Sequence, residues 1–87
     1  MKINVTQENI NNGRRDTIHS CPIALAIEAE GCSAVAVTGN EIEFYCDGSY
    51  YSGFTPQVAE EFIEAFDKRG AKAVKPFSFE LGIERVS

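Results

Sequence analysis

The fold is decided by residues 33–54, which read SAVAVTGNEIEFYCDGSYYSGF. Apolar and polar residues alternate strictly over 41–46, a period of two that is typical of a strand with one buried face. The residues GN at 39–40 and DGS at 47–49 are turn formers between apolar runs. The stretch therefore predicts a meander of three strands, over 33–38, 41–46 and 50–54. Its inward side chains are Val35, Val37, Ile42, Phe44 and Cys46.

A helix and a strand are predicted on each side of the meander. Residues 21–30 form a helix that Ser20 or Cys21 caps and Gly31 ends, with Pro22 in its first turn. Residues 2–6 alternate as a short strand, and residues 74–81 alternate as a last one.

The second helix is the most regular element of the sequence. Thr55 is its predicted N-cap, Pro56 lies in its first turn and Gly70 ends it. An apolar stripe along one side indicates which face is buried. The stripe consists of Val58, Ala59, Phe62, Ile63 and Phe66.

The resulting order, β-α-β-β-β-α-β, predicts an α+β fold in a single domain over residues 1–87. We expect a two-layer sandwich in which both helices cover one face of an antiparallel or mixed sheet, a variant of the ferredoxin-like fold. The uncovered face would carry small, polar and acidic side chains. They are Asn4, Ala34, Ala36, Thr38, Glu41, Glu43, Tyr45, Ser78 and Glu80.

Composition limits the classes of function. The chain has 87 residues with 8 Lys+Arg and 13 Asp+Glu, a formal net charge of −5 at pH 7. One small core leaves little room for a deep catalytic pocket, so we predict no enzymatic activity and no cofactor. The acidic balance opposes direct binding of nucleic acid, which needs a basic surface. No apolar run approaches the roughly 18 residues that span a bilayer, so we expect a cytoplasmic location without a membrane partner.

The cysteines, Cys21, Cys32 and Cys46, predict neither a disulfide framework nor a metal site. Their number is odd and no CxxC pair occurs. Free cysteine commonly packs as a small apolar side chain, and this is the interpretation we favour. The alternative is a small metal- or thiol-using protein in which His19 joins the three cysteines. A His19–Cys21 nucleophile is disfavoured because no third orienting group is evident.

Candidate partner-binding residues fall into three groups. The first belongs to the meander, where tyrosine offers contact area at low entropic cost: Tyr45, Tyr50, Tyr51, Glu41 and Glu43. The second is the acidic stripe of the second helix, which would steer a basic partner: Glu60, Glu61, Glu64 and Asp67. The third is the long polar segment 7–20, with Arg14 and Arg15. The alternatives are cross-strand packing of Tyr50 or Tyr51, a solvated helix face and a solvated loop.

Four segments carry a resemblance to known sequences. They are VTQE at 5–8, CPIALA at 21–26, FIEAFD at 62–67 and VKPFSFEL at 74–81. Together they are similar to a family of small uncharacterised proteins from phages and prophage-bearing bacteria. The resemblance implies no activity and no catalytic residue. It does imply a setting in a bacterial host cell, as an accessory factor that binds a host protein, including inhibitors of host defence such as anti-CRISPR proteins.

The sequence therefore predicts a small acidic protein-binding module, an inhibitor of a host defence or nucleic-acid-processing complex. Its partner would be a host or phage protein with a basic surface. The remaining alternative is a self-assembling structural protein, in which a strand edge pairs two copies as a homodimer.

Overall fold

Six strands and three helices make up the chain in the order β1-α1-α2-β2-β3-β4-α3-β5-β6, and the computed structural model describes residues 1–87 throughout. The strands are β1 (Lys2–Val5), β2 (Ser33–Val37), β3 (Glu41–Cys46), β4 (Ser49–Phe54), β5 (Phe77–Glu80) and β6 (Glu84–Arg85). The helices are α1 (Gln7–Asn12), α2 (Pro22–Ala29) and α3 (Gln57–Arg69), and a 3-10 turn covers Ala71–Ala73. The predicted α+β class is confirmed.

The strands form two antiparallel sheets where the pattern predicts one. The larger sheet has the order β2-β3-β4-β6, and β1 pairs only with β5. The last predicted strand is too long, because a 3-10 turn and a loop occupy residues 71–76 and β5 begins at Phe77. Beyond β5 the chain crosses to β4 and adds β6, a strand that the sequence did not predict. The ferredoxin-like arrangement is therefore not confirmed.

The turn between β3 and β4 fixes the register of the central hairpin. Asp47 and Gly48 both have positive φ, 53° and 79°, as a two-residue type I′ turn requires. Tyr45 consequently lies opposite Tyr50, and Glu41 lies opposite Phe54. Directly opposite residues share a face of the sheet, so this turn decides which side chains of β4 accompany those of β3.

A close backbone approach at Gly53 allows the chain after β5 to reach β4. A Cβ atom at this position would lie 2.1 Å from the carbonyl oxygen of Gly82. Only glycine leaves room for that carbonyl. This contact makes β6 the fourth strand of the larger sheet.

The helix ends agree with the sequence at α2 and differ at α3. Cys21 is the N-cap of α2, and its sulfur accepts a hydrogen bond from the Ala24 amide at 3.5 Å. The Thr55 cap is wrong: Pro56 is the N-cap of α3 and makes no side-chain bond. The Thr55 hydroxyl instead donates to the carbonyl of Thr38, at 2.8 Å, because the end of β4 lies beside the β2–β3 turn.

One hydrophobic core of 18 buried residues draws on both sheets and all three helices. Ile10 brings α1 into it, Ile23 and Ile27 bring α2, and Phe62 brings α3. Val58 does not belong to the buried stripe of α3, because its residue surface is 52% exposed.

The polar segment after α1 is anchored at both of its ends. Near its start, the Arg15 guanidinium donates to the carbonyls of Asp67 and Lys68, at 2.9 and 2.6 Å. Near its end, the Val37 amide donates to the Ile18 carbonyl at 2.8 Å. This second contact occupies the outer edge of β2 and so opposes pairing of that edge with another strand.

Candidate partner-binding face

The outward face of the larger sheet collects acidic and aromatic side chains. The register aligns Glu41 with Phe54, Glu43 with Ser52 and Tyr45 with Tyr50. Next to β4, Glu84 lies opposite Ser52, and the Val86 amide bonds the Tyr50 carbonyl. We call this surface the acidic–aromatic face. It consists of Glu41, Glu43, Tyr45, Tyr50, Ser52, Phe54, Glu84 and Val86.

Hydrogen bonds within the hairpin hold two of these carboxylates in place. The Tyr50 hydroxyl donates to Glu43 Oε2, and the Ser52 hydroxyl donates to Glu41 Oε1 at 3.0 Å. The hydrogen bond to Glu43 is the main reason that the pKa of Tyr50 is raised to about 12, with desolvation and the Glu43 charge adding to it. Tyr50 therefore stays a protonated donor at neutral pH.

The apolar side chains of this face are exposed to an unusual degree. Phe54 is 86% exposed, Val86 57% and Tyr45 47%. The rings of Tyr45 and Tyr50 lie 5.0 Å apart in a tilted arrangement. Aromatic residues in such positions are typical anchors of protein interfaces.

The acidic–aromatic face carries carboxylates without cations. The ion pairs of the protein join the Met1 amino group to Glu80 and Lys68 to Glu64, so neither neutralises a carboxylate of the face. Beside Phe54 the surface sinks into an open groove of about 470 Å³, whose lining includes Glu41 and Glu84. A cationic side chain entering this groove would meet carboxylates and an aromatic ring together.

Tyr51 belongs to the core side of the sheet. It follows Tyr50 in β4 and so points to the opposite face, where its ring stacks on Phe44 with centroids 5.8 Å apart. Both tyrosines make the cross-strand packing that was the alternative to partner binding, Tyr51 on Phe44 and Tyr50 on Tyr45. Tyr45 and Tyr50 are the two predicted tyrosines that reach the outward face.

The acidic stripe of α3 lies apart from this face and is partly engaged. Glu60, Glu61 and Glu64 are exposed, and Glu64 accepts a bond from Lys68 at 3.0 Å. Asp67 is half-buried, and its carboxylate accepts a bond from the Asp16 amide at 3.0 Å. The last residue of the stripe therefore holds the 13–20 segment against α3.

The two arginines have different surroundings. Arg15 binds the final carbonyls of α3, where a cation also favours the helix dipole. Arg14 is exposed, and only its backbone is hydrogen-bonded: its amide donates to the Ser20 carbonyl, and its carbonyl accepts from the Thr17 hydroxyl. Arg14 is thus the predicted basic residue whose side chain projects from the surface.

His19 and the cysteines occupy separate parts of the structure. His19 Nδ1 donates to the carbonyl of Val35 at 2.8 Å, and Cys21 caps α2. Cys32 and Cys46 are neighbours at the open end of the β2–β3 pair. Three or more His, Cys, Asp or Glu side chains do not come together anywhere in a way that would hold a metal ion.

Comparison with protein-family models, curated proteins and solved structures gives no match for this chain. The likeness to small phage proteins stays an expectation drawn from the sequence. No helix has the length and apolar content needed to cross a membrane.

The sequence prediction missed half of the acidic–aromatic face. Ser52 and Phe54 could have been found, because the two-residue turn at 47–48 fixes the register that places them opposite Glu43 and Glu41. Glu84 and Val86 could not, because β6 reaches β4 through a long-range pairing that no local pattern indicates.

Proposed function

We propose that this protein is a non-enzymatic binding module whose acidic–aromatic face receives an arginine-bearing segment of a basic partner protein. The observation that supports it is the placing of unneutralised carboxylates Glu41 and Glu84 beside the exposed ring of Phe54 in one groove. A guanidinium group pairs with carboxylates through parallel hydrogen bonds and also stacks on aromatic rings. Lysine offers a point charge without the planar fork, so arginine fits this surface better.

We favour a partner protein that itself binds nucleic acid. Such proteins carry basic grooves rich in arginine, and an acidic surface is attracted to them over long distances. Occupying the groove would exclude the nucleic acid. This is the inhibitory role expected of a phage accessory factor.

The test uses isotope-labelled protein titrated with a short arginine-rich peptide and, separately, with a lysine peptide of the same length. We expect amide shifts confined to β3, β4 and β6, tighter binding of the arginine peptide, and weakening with salt. Phe54→Ala should lower affinity by roughly two- to fivefold, the value of an exposed cation–π contact of about 0.5–1 kcal/mol.

Two charge-matched double variants test whether binding depends on the acidic–aromatic face or only on the negative charge of the protein. Glu41→Gln/Glu84→Gln and Glu60→Gln/Glu61→Gln each remove two negative charges, but only the first pair lies on the acidic–aromatic face. The first should weaken binding severalfold more than the second. Equal losses, or shifts centred on α3, would place the site on the helix and reject the proposal.

A further inference from the structure

Cys32 immediately precedes β2 and is a neighbour of Cys46, the last residue of β3. The register of β2 and β3 pairs Ser33 with Tyr45, and its extension by one step would set Cys32 opposite Cys46. Directly opposite residues of antiparallel strands have Cα atoms about 4.5–5.5 Å apart. Disulfide bonds join Cα atoms roughly 4.4–6.8 Å apart. Hydrogen-bonded and non-hydrogen-bonded antiparallel pairs both fall within this distance.

The surroundings of the two thiols differ. Cys32 is buried, 6% exposed, and Cys46 is half-buried against the same core. Burial, followed by the neighbouring Cys46 thiol, raises the pKa of Cys32 to about 12. Cys46 is therefore the thiol that an external reagent meets first, while Cys32 waits behind it as the resolving thiol.

We propose that Cys32 and Cys46 form a modification site, a dithiol that a small-molecule disulfide such as oxidised glutathione converts reversibly to an intramolecular disulfide. The thiolate of Cys46 attacks one sulfur of the reagent, whose S–S bond breaks and releases one thiol. Cys32 then attacks the Cys46 sulfur, and the second thiolate of the reagent leaves and takes up the proton that Cys32 gives up. Two protein thiols are oxidised and one reagent disulfide is reduced to two thiols.

The new bond would tie the start of β2 to the end of β3. It closes a loop of about 15 residues around the first hairpin, which restrains the unfolded chain and raises stability. The site is independent of partner binding, because both thiols lie on the core side of the sheet while Tyr45 and Tyr50 occupy the outward side. Redox conditions would thus change the stability of the hairpin that carries the acidic–aromatic face.

The experiment equilibrates the folded, reduced protein with mixtures of oxidised and reduced glutathione. The reaction is then quenched with an alkylating reagent in urea, so that buried thiols are also labelled, and the peptides are mapped by mass spectrometry. We expect a mass loss of about 2 Da, for two hydrogen atoms, with Cys32 linked to Cys46. The oxidised form should melt at a higher temperature, and a dithiol reductant should reverse the change.

The variants test the order of the steps. Cys21→Ser retains a good N-cap residue and should form the same bond as the unchanged protein. Cys32→Ala should stop at a mixed disulfide on Cys46. Three results would each overturn the proposal: three alkylatable thiols in the most oxidising mixture, a lasting mixed disulfide in the unchanged protein, or a bond to Cys21. All three are measured on the unchanged protein, so none requires that a variant fold.

Discussion

Replacing Gly53 by alanine tests whether the fourth strand depends on a missing side chain. The new Cβ atom would lie 2.1 Å from the Gly82 carbonyl oxygen, and real Cβ contacts of this kind are essentially never below 3.0 Å. The two backbones would have to separate by about 0.9 Å to relieve this overlap. Backbone on both sides of the contact leaves no flexible side chain that could move aside.

The size of the effect follows from what that separation disturbs. The Val86 amide donates to the Tyr50 carbonyl at 2.7 Å, and an added displacement of this size would stretch it beyond the range of a hydrogen bond. Overpacking of this kind costs about 1–3 kcal/mol in free energy of unfolding. For a domain of this length, a loss of about 2 kcal/mol lowers the melting temperature by roughly 8–16 °C.

Urea denaturation followed by far-UV circular dichroism measures this loss, and amide hydrogen exchange at Val86 reports on β6 directly. The matched control is Gly39→Ala, because a Cβ atom there meets no heavy atom within 4 Å and φ is not positive. The control should change stability by less than about 1 kcal/mol. Equal stabilities for the two variants, with Val86 still protected from exchange, would refute the reasoning.

Three other perturbations have defined outcomes. Arg15→Ala should lower the free energy of unfolding by about 0.5–1.5 kcal/mol in urea denaturation, because the carbonyls of Asp67 and Lys68 lose their donor. Arg14→Ala is the control, and equal losses for the two variants would contradict the role of Arg15. Burial raises the pKa of the Cys21 thiol, so little of the reactive thiolate is present below that raised value. Iodoacetamide should therefore label Cys21 only as urea unfolds the protein. If mass spectrometry shows that the folded protein is labelled as fast as the unfolded one, this prediction is wrong. The hydrogen bond to Glu43 raises the pKa of Tyr50 to about 12, so that bond is lost as pH rises through this value. Glu43→Ala should return the NMR-monitored pKa of Tyr50 toward its usual value of about 10. An unchanged titration would show that Glu43 is not the cause.

Local chemistry in the sequence predicted the central hairpin and one helix start. The positive φ values at Asp47 and Gly48 are those that an Asp-Gly turn favours, and Cys21 caps the helix that Pro22 begins. These features depend on residues within a few positions of one another. The pattern also placed Glu41, Glu43 and Tyr45 on the outward side, and the alternating burial along β3 confirms this.

Features that depend on distant partners could not be predicted in this way. The alternation in 74–81 indicates a strand but not its neighbour, and β5 pairs with β1 alone. Thr55 is a residue type that commonly caps helices, but its hydroxyl donates a hydrogen bond to the Thr38 carbonyl instead. Val58 matches the helical period but is exposed, whereas Ala59 in the same turn of α3 is buried, and the position of the core that separates them is set by distant residues.

The pairing of β1 with β5 has a consequence for the order of events during synthesis. Lys2 lies opposite Glu80, so β1 leaves the ribosome long before its partner exists, while the β3–β4 hairpin closes over two residues and forms locally. The nascent chain must carry an unpaired β1, with the apolar side chains of Ile3 and Val5, until β5 has been translated and emerges. Chaperones that recognise short apolar segments would meet this protein at its first strand, and truncation before residue 77 would leave that strand exposed.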